Sequence, residues 1–289
     1  MKTRILTSIV GLAVLAVVLI NFNTAVFDVA VALICLVAVH EAYEAFGFRK
    51  KDLYLYLPVI PFTLVVMFGH AGAARQAILP LSFCLALYYC LCVIKNHRTL
   101  SVEKLGGFLF FSAVIELCFY SLVELKRVLP AAEYHSDAVY FVLLVLCIAW
   151  GGDSAAYFTG RALGKHKLAP EVSPHKTVEG AVGGVLGSVI LALALTDVYG
   201  DIANRVEAFT AGFIGPELYF LLAILAAFSS VLGILGDLFA SAVKRQCGIK
   251  DYGTIFPGHG GILDRFDSVM FIAPFVTSCV TSVFYALRK

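Results

Sequence analysis

Between Asp237 and Asp267 the chain gathers Asp237, Ser241, Lys244, Arg245, Lys250, Asp251, His259, Asp264, Arg265 and Asp267, spaced by five glycines and one proline. Asp237, Ser241 and Lys244 recur at i, i+4 and i+7 and therefore line one face of a helix. Asp264 and Asp267 stand three residues apart, in what reads as the first turn of the following helix, where the dipole favours carboxylates. If the two helices pack side by side, Asp237, Asp264 and Asp267 converge. Carboxylate oxygens with positions left for substrate oxygens are what Mg²⁺ takes when it carries a polyphosphate. Lys244, Arg245, Lys250 and Arg265 are suitable donors to phosphate oxygens. The implied chemistry is phosphoryl or nucleotidyl transfer, which depends mainly on positioning and neutralisation of charge. His259 lies between two glycines with no second histidine at ligand spacing, so it reads as a hydrogen-bonding residue rather than a metal ligand.

A second polar cluster precedes this one. Asp153 and Tyr157 are four apart and share a helix face. Lys165, Lys167, Ser173, Lys176 and Thr177 then lead into Gly180, Gly183 and Gly184, where another helix begins. Hydroxyls, lysines and open backbone amides at a helix N-terminus suit an anion. The residue types fit a polyphosphate, although the pattern is not that of a P-loop.

These clusters are embedded in an apolar chain. Of 289 residues, 60% are apolar and 15% charged, against about 25% charged in an average soluble domain. The composition is that of a polytopic membrane protein. A spanning helix needs about 20 mostly apolar residues. Nine stretches qualify, roughly 5–22, 25–47, 53–69, 77–95, 106–125, 138–158, 179–199, 217–243 and 268–286. The expected fold is all-α, with about nine transmembrane helices. Residues 1–137 form N-terminal transmembrane helices and residues 138–289 a catalytic region with two polar loops. The first stretch, which lacks a small-residue cleavage site, reads as a retained helix rather than a signal peptide. Pro58 and Pro61 are expected to kink the third. Most of the 22 lysines and arginines fall on the side that carries both polar loops, which makes that side cytoplasmic.

Seven of the eight cysteines lie in apolar runs, and no CxxC pair occurs. Neither a zinc site nor a disulfide framework is supported. Glu116, Asp28, His40, Glu41 and Glu44 are polar residues within or beside spanning stretches. They either line a lipid path or pair with another helix.

The spacing of Ser241, Lys244, Arg245, Lys250, Asp251, Pro257, His259, Gly260, Gly261, Asp264, Arg265 and Asp267 resembles the signature of the phosphatidate cytidylyltransferase (CDP-diacylglycerol synthase) family. Two upstream elements are similar to the family as well. One comprises Asp153, Ala156, Tyr157, Gly160, Arg161, Gly164 and Lys165. The other comprises Ser173, Pro174, Lys176, Thr177, Glu179 and Gly180. His175 departs from the Asn or Lys more usual there. The resemblance covers roughly residues 150–270; the N-terminal half is similar only as a run of helices.

The resemblance implies a homodimeric enzyme of a bacterial inner membrane, working at its cytoplasmic face, that converts CTP and phosphatidate to CDP-diacylglycerol and diphosphate. It implies Mg²⁺, with K⁺ as a second ion, held by Asp237 and Asp264 with Asp267 close by. Lys244 would lie against the metal centre and share the catalytic work of the three aspartates. Substrate contacts are expected from Lys165, Ser173, Lys176, Thr177, Ser241, Arg245, Lys250, His259 and Arg265, with no nucleic acid as partner. The alternatives are transfer to another lipid or polyprenyl phosphate, or transport of an anionic solute. A transporter would show paired broken helices in two related halves, and the polar loops lie in the C-terminal half alone.

Overall fold

Long apolar runs without water must satisfy every backbone N–H and C=O internally, and helices do this segment by segment. In a computed structural model, which describes residues 2–69, 72–129, 134, 136–206, 216–256 and 260–287, all nine apolar stretches are helical. They comprise α1 (Lys2–Ile20), α2 (Ala25–Ala45), α3 (Val59–Phe68), α4 (Gly72–Lys95) and α5 (Val102–Val128). Next come α6 (Ala138–Leu146) and α7 (Gly152–Leu163), joined by a π-helical turn, Cys147–Gly151. The series ends with α8 (Val178–Ala203), α9 (Pro216–Gln246), the single-turn α10 (Leu263–Phe266) and α11 (Val269–Leu287). Among the described residues, six spans are long and apolar enough to cross a membrane, with Ala138–Leu163 counting as one; three shorter apolar helices occupy the other predicted stretches. The protein is an all-α, multi-pass membrane protein.

Three local expectations are corrected. Pro58 and Pro61 do not kink a helix interior: Pro58 is the N-cap of α3 and Pro61 lies in its first turn, where a missing N–H costs no helical bond. The loop after Leu163 is not irregular throughout. It forms an antiparallel hairpin of β1 (Lys167–Ala169) and β2 (Ser173–Thr177), with Lys167 opposite Thr177 and Ala169 opposite Ser173. Pro170 falls in its turn, outside both strands. Asp264 and Asp267 do not share the first turn of the last helix. Asp264 is in α10, and Asp267 falls between α10 and α11.

The chain divides into two compact units. One comprises Met1–Val123 and Gln246–Arg265, the other Glu124–Arg245 and Phe266–Lys289. The first is built around an aromatic cluster in which Tyr43 packs on Phe48, Tyr56 and Phe108. Phenol hydroxyls secure its turns: Tyr56 donates to the Leu36 carbonyl at 3.0 Å and Tyr89 to that of Leu55 at 2.7 Å. Tyr252 stacks on Phe111 at 5.6 Å between ring centroids, which fastens the Gln246–Arg265 segment to this core.

The second unit depends on small residues. A Cβ at Gly183 would fall 2.1 Å from Thr159 Oγ1, one at Gly187 2.3 Å from Ala155 Cβ, and one at Gly180 2.9 Å from the Ala156 carbonyl. α7 and α8 therefore approach backbone to backbone, as small-xxx-small spacing allows. Likewise Gly236 of α9 receives the Asp267 carbonyl, 2.6 Å from where its Cβ would be. At the π-turn the Ser188 hydroxyl donates to the Ile148 carbonyl at 3.1 Å, which satisfies a backbone group in the wider turn.

Replacing Gly183 by leucine is expected to destabilise the protein by about 1–3 kcal/mol through overpacking. Gly11→Leu, where nothing lies within 4 Å, is the control. Thermal unfolding in detergent checks this: a lowered Tm for the first variant alone is the expected result.

Candidate active site

The expected site residues fall in both units. In the second unit, α9 presents Asp237, Ser241 and Lys244 on one face, as their spacing requires. The Ser241 hydroxyl donates to Asp237 Oδ1 at 3.2 Å. The other oxygen, Oδ2, forms an ion pair with Lys176 Nζ from β2. Lys176 can reach it because the hairpin turns the chain back before α8 begins. The Thr177 hydroxyl accepts from the Gly180 N–H at 3.1 Å and so caps α8. Glu179 accepts from the backbone N–H groups of Lys165 at 3.0 Å and His166 at 3.2 Å. Arg245 Nε donates to the Val172 carbonyl at 3.3 Å, joining α9 to the hairpin turn. Ser173 is half-buried in β2, whereas the Lys165 side chain is exposed.

Asp267 belongs to the same cluster. It accepts from the Ser268 N–H at 2.8 Å, and the Ser268 hydroxyl donates to Asp153 Oδ2 at 3.0 Å. Burial, then the negative charges of Asp237 and Asp153, push the Asp267 carboxyl up to about 8, against the pull of Lys244. Three carboxylates thus stand close enough to feel one another, beside two lysines. Lys244 is buried, a position an ammonium group seldom takes unless paired.

In the first unit, Asp264 is buried and organises its own loop. Its Oδ2 accepts from the Tyr252 N–H at 2.8 Å and from the Gly261 N–H at 3.0 Å. Gly260, at φ +86°, turns the chain tightly over this carboxylate, and a Cβ there would lie 2.8 Å from Oδ2. Lys250, Asp251 and Arg265 are exposed. Pro257 and His259 lie outside the described residues.

Residues 2–283 match the model of the Cytidylyltransferase family. The chain belongs to that family. It is 33% identical over 285 residues to the phosphatidate cytidylyltransferase of Bacillus subtilis (strain 168), covering 96% of each chain. It is 32% identical over 274 residues to that of Staphylococcus aureus (strain COL), covering 95% of this chain and 96% of the relative. Cytidylyltransferase membership favours the enzyme over the anion transporter, and a cytidylyltransferase must place the three phosphates of CTP among cations. Lys176 and Lys244 are the two lysines beside the carboxylates of the second unit.

The donor set suits a hard divalent cation in kind: carboxylate oxygens, half-buried at Asp237 and Asp267 and exposed at Asp153, with mutual repulsion that a cation would relieve. In spacing, no three acidic, histidine or cysteine side chains among the described residues stand as metal ligands; at Asp237 the cation is Lys176. Sequence reasoning had grouped Asp153 with a motif without giving it a role at the site. It missed Ser268 altogether, because a serine beside an acidic pair carries no signal of its own.

Asp267 yields a prediction that needs no metal. The folded protein keeps this proton between the usual carboxylate range and about 8, while the unfolded chain releases it. Stability therefore falls as pH rises through that window. In EDTA, the Tm of the wild type is expected to drop between pH 5 and 8 more steeply than that of Asp267→Asn. Equal slopes would contradict the assignment.

Proposed function

We propose that the protein is a phosphatidate cytidylyltransferase that forms CDP-diacylglycerol and diphosphate from CTP and phosphatidate. The observation that carries this reading is the 33% identity, over 96% of both chains, to a relative of that name. The polar cluster on α9 and the hairpin supports it, since two anionic substrates must be brought together. Without cations their repulsion is strong at low effective dielectric.

In this reading a phosphate oxygen of phosphatidate forms a bond to the α-phosphorus of CTP. The bond from that phosphorus to the bridging oxygen breaks, and diphosphate leaves. The acceptor is itself an anionic nucleophile, so no protein nucleophile is needed. Asp237 and Asp267 would hold Mg²⁺ within the second unit; the family resemblance adds Asp264, three residues before Asp267 in the chain, as a candidate ligand. Bound there, Mg²⁺ would draw charge from the phosphate oxygens and from the departing diphosphate. Lys176 would exchange Asp237 for a phosphate oxygen as substrate arrives, and Lys244 would offset charge developing in the transition state. Lys165, Ser173, Thr177, Ser241, Arg245, Lys250, His259 and Arg265 remain candidates for substrate contacts, and K⁺ for a second ion. The family resemblance and the bacterial relatives favour a bacterial inner membrane, and the distribution of lysine and arginine favours this site facing the cytoplasm. The homodimer rests on the family resemblance, and mass measurement of the detergent complex tests it.

The direct assay is formation of CDP-diacylglycerol by the purified protein from CTP and phosphatidate, with and without Mg²⁺. Product that requires all three supports the reading; none under any condition refutes it. Asp264→Asn separates two roles of one side chain, because an amide oxygen can still accept from the backbone while the charge is lost. We expect turnover to fall by about 10²-fold or more with the protein still folded. Near-normal turnover would remove Asp264 from the catalytic set.

A further inference from the structure

Glu41 sits near the C-terminal end of α2 and is 3% exposed. A carboxylate this deeply buried is costly unless both oxygens are satisfied. Here each oxygen has its own backbone donor from a segment more than 200 residues away in sequence. Oε1 accepts from the Ile262 N–H and Oε2 from the Leu263 N–H, both at 2.9 Å. These N–H groups open α10 and have no helical acceptor.

The surrounding chain is shaped to admit this carboxylate. A Cβ at Gly253 or at Gly261 would fall 2.4 Å from Glu41 Oε1. Next to the clamp, Asp264 ties Gly261 to Tyr252. Glu41 and Asp264 together bind four backbone N–H groups of one short segment, at residues 252, 261, 262 and 263. For stability alone, apolar residues of similar volume serve at least as well as a buried ionic group. What a two-oxygen clamp adds is a fixed backbone position.

We propose that Glu41 is a positioning residue for cytidylyl transfer: by clamping Ile262 and Leu263 it fixes the backbone that carries Asp264 and Arg265. The inference rests on the reaction proposed above, and Glu41 itself touches neither substrate nor cation. Glu41→Gln keeps the shape but replaces one acceptor by an NH₂ group facing a backbone donor, so half the clamp is lost. A misplacement of about 1 Å can cost roughly 10²-fold in rate.

The test measures three quantities on the purified full chain: turnover, KM for CTP, and deuterium exchange of the amides in residues 260–266. For Glu41→Gln we expect faster exchange in that segment and a fall in kcat of about 10²-fold, with KM for CTP changed less than about twofold and Tm retained. Gly253→Ala, which crowds Oε1 from the loop side, should shift both exchange and kcat in the same direction, and it keeps the test available if Glu41→Gln fails to accumulate. Faster exchange with undiminished kcat overturns the positioning role, and unchanged exchange overturns the clamp. If the wild type makes no CDP-diacylglycerol, the reaction assignment fails instead, and the exchange data still decide whether the clamp exists.

Discussion

A carboxylate in an apolar protein must be compensated where it stands, and the architecture around the polar segments follows from how each one is. Glu41 and Asp264 are each satisfied by two backbone N–H groups. Such groups hold a negative charge without neutralising it, and they make the loop conformation depend on the side chain. Asp237 is compensated differently, by the Lys176 ammonium and the Ser241 hydroxyl. Asp267 has the Ser268 N–H and the pull of Lys244, set against burial and two acidic neighbours that outweigh them. Carboxylates fixed to backbone therefore build the frame. Those held by mobile ammonium groups remain exchangeable, and exchange is what phosphate chemistry requires.

The small residues serve the same end by another route. Glycines along α8 bring α7 within backbone distance, and Gly236 does the same for the chain entering α11. Close approach of this kind leaves little room for side-chain rearrangement, so Asp153, Asp237 and Asp267 keep their mutual spacing. The flexible partners, the lysines, then provide the adaptability.

Much of this was legible in the sequence. The nine helical stretches follow from hydropathy, and the shared face of Asp237, Ser241 and Lys244 follows from helical period. The place of Lys165 and Lys176 among the substrate contacts came from the family resemblance; the Lys176–Asp237 ion pair carried no signal in the sequence. The hairpin escaped because Pro170 and Pro174 hide strands of three and five residues. The separate turn of α10 escaped because a four-residue helix has no period to detect. Glu41 stood out only as an acidic residue in an apolar helix. Its partners are backbone N–H groups, which no side-chain pattern announces, so it could equally have been assigned to a lipid path.

The central claim is that the cations around Asp237 receive the phosphates of CTP. Equilibrium binding of CTP to the purified protein in Mg²⁺, compared between wild type and Lys176→Met, tests it most directly. The account predicts measurable binding to the wild type and at least about tenfold weaker binding to the variant, the loss of one charge-assisted contact. Equal affinity for CTP in both proteins would contradict it.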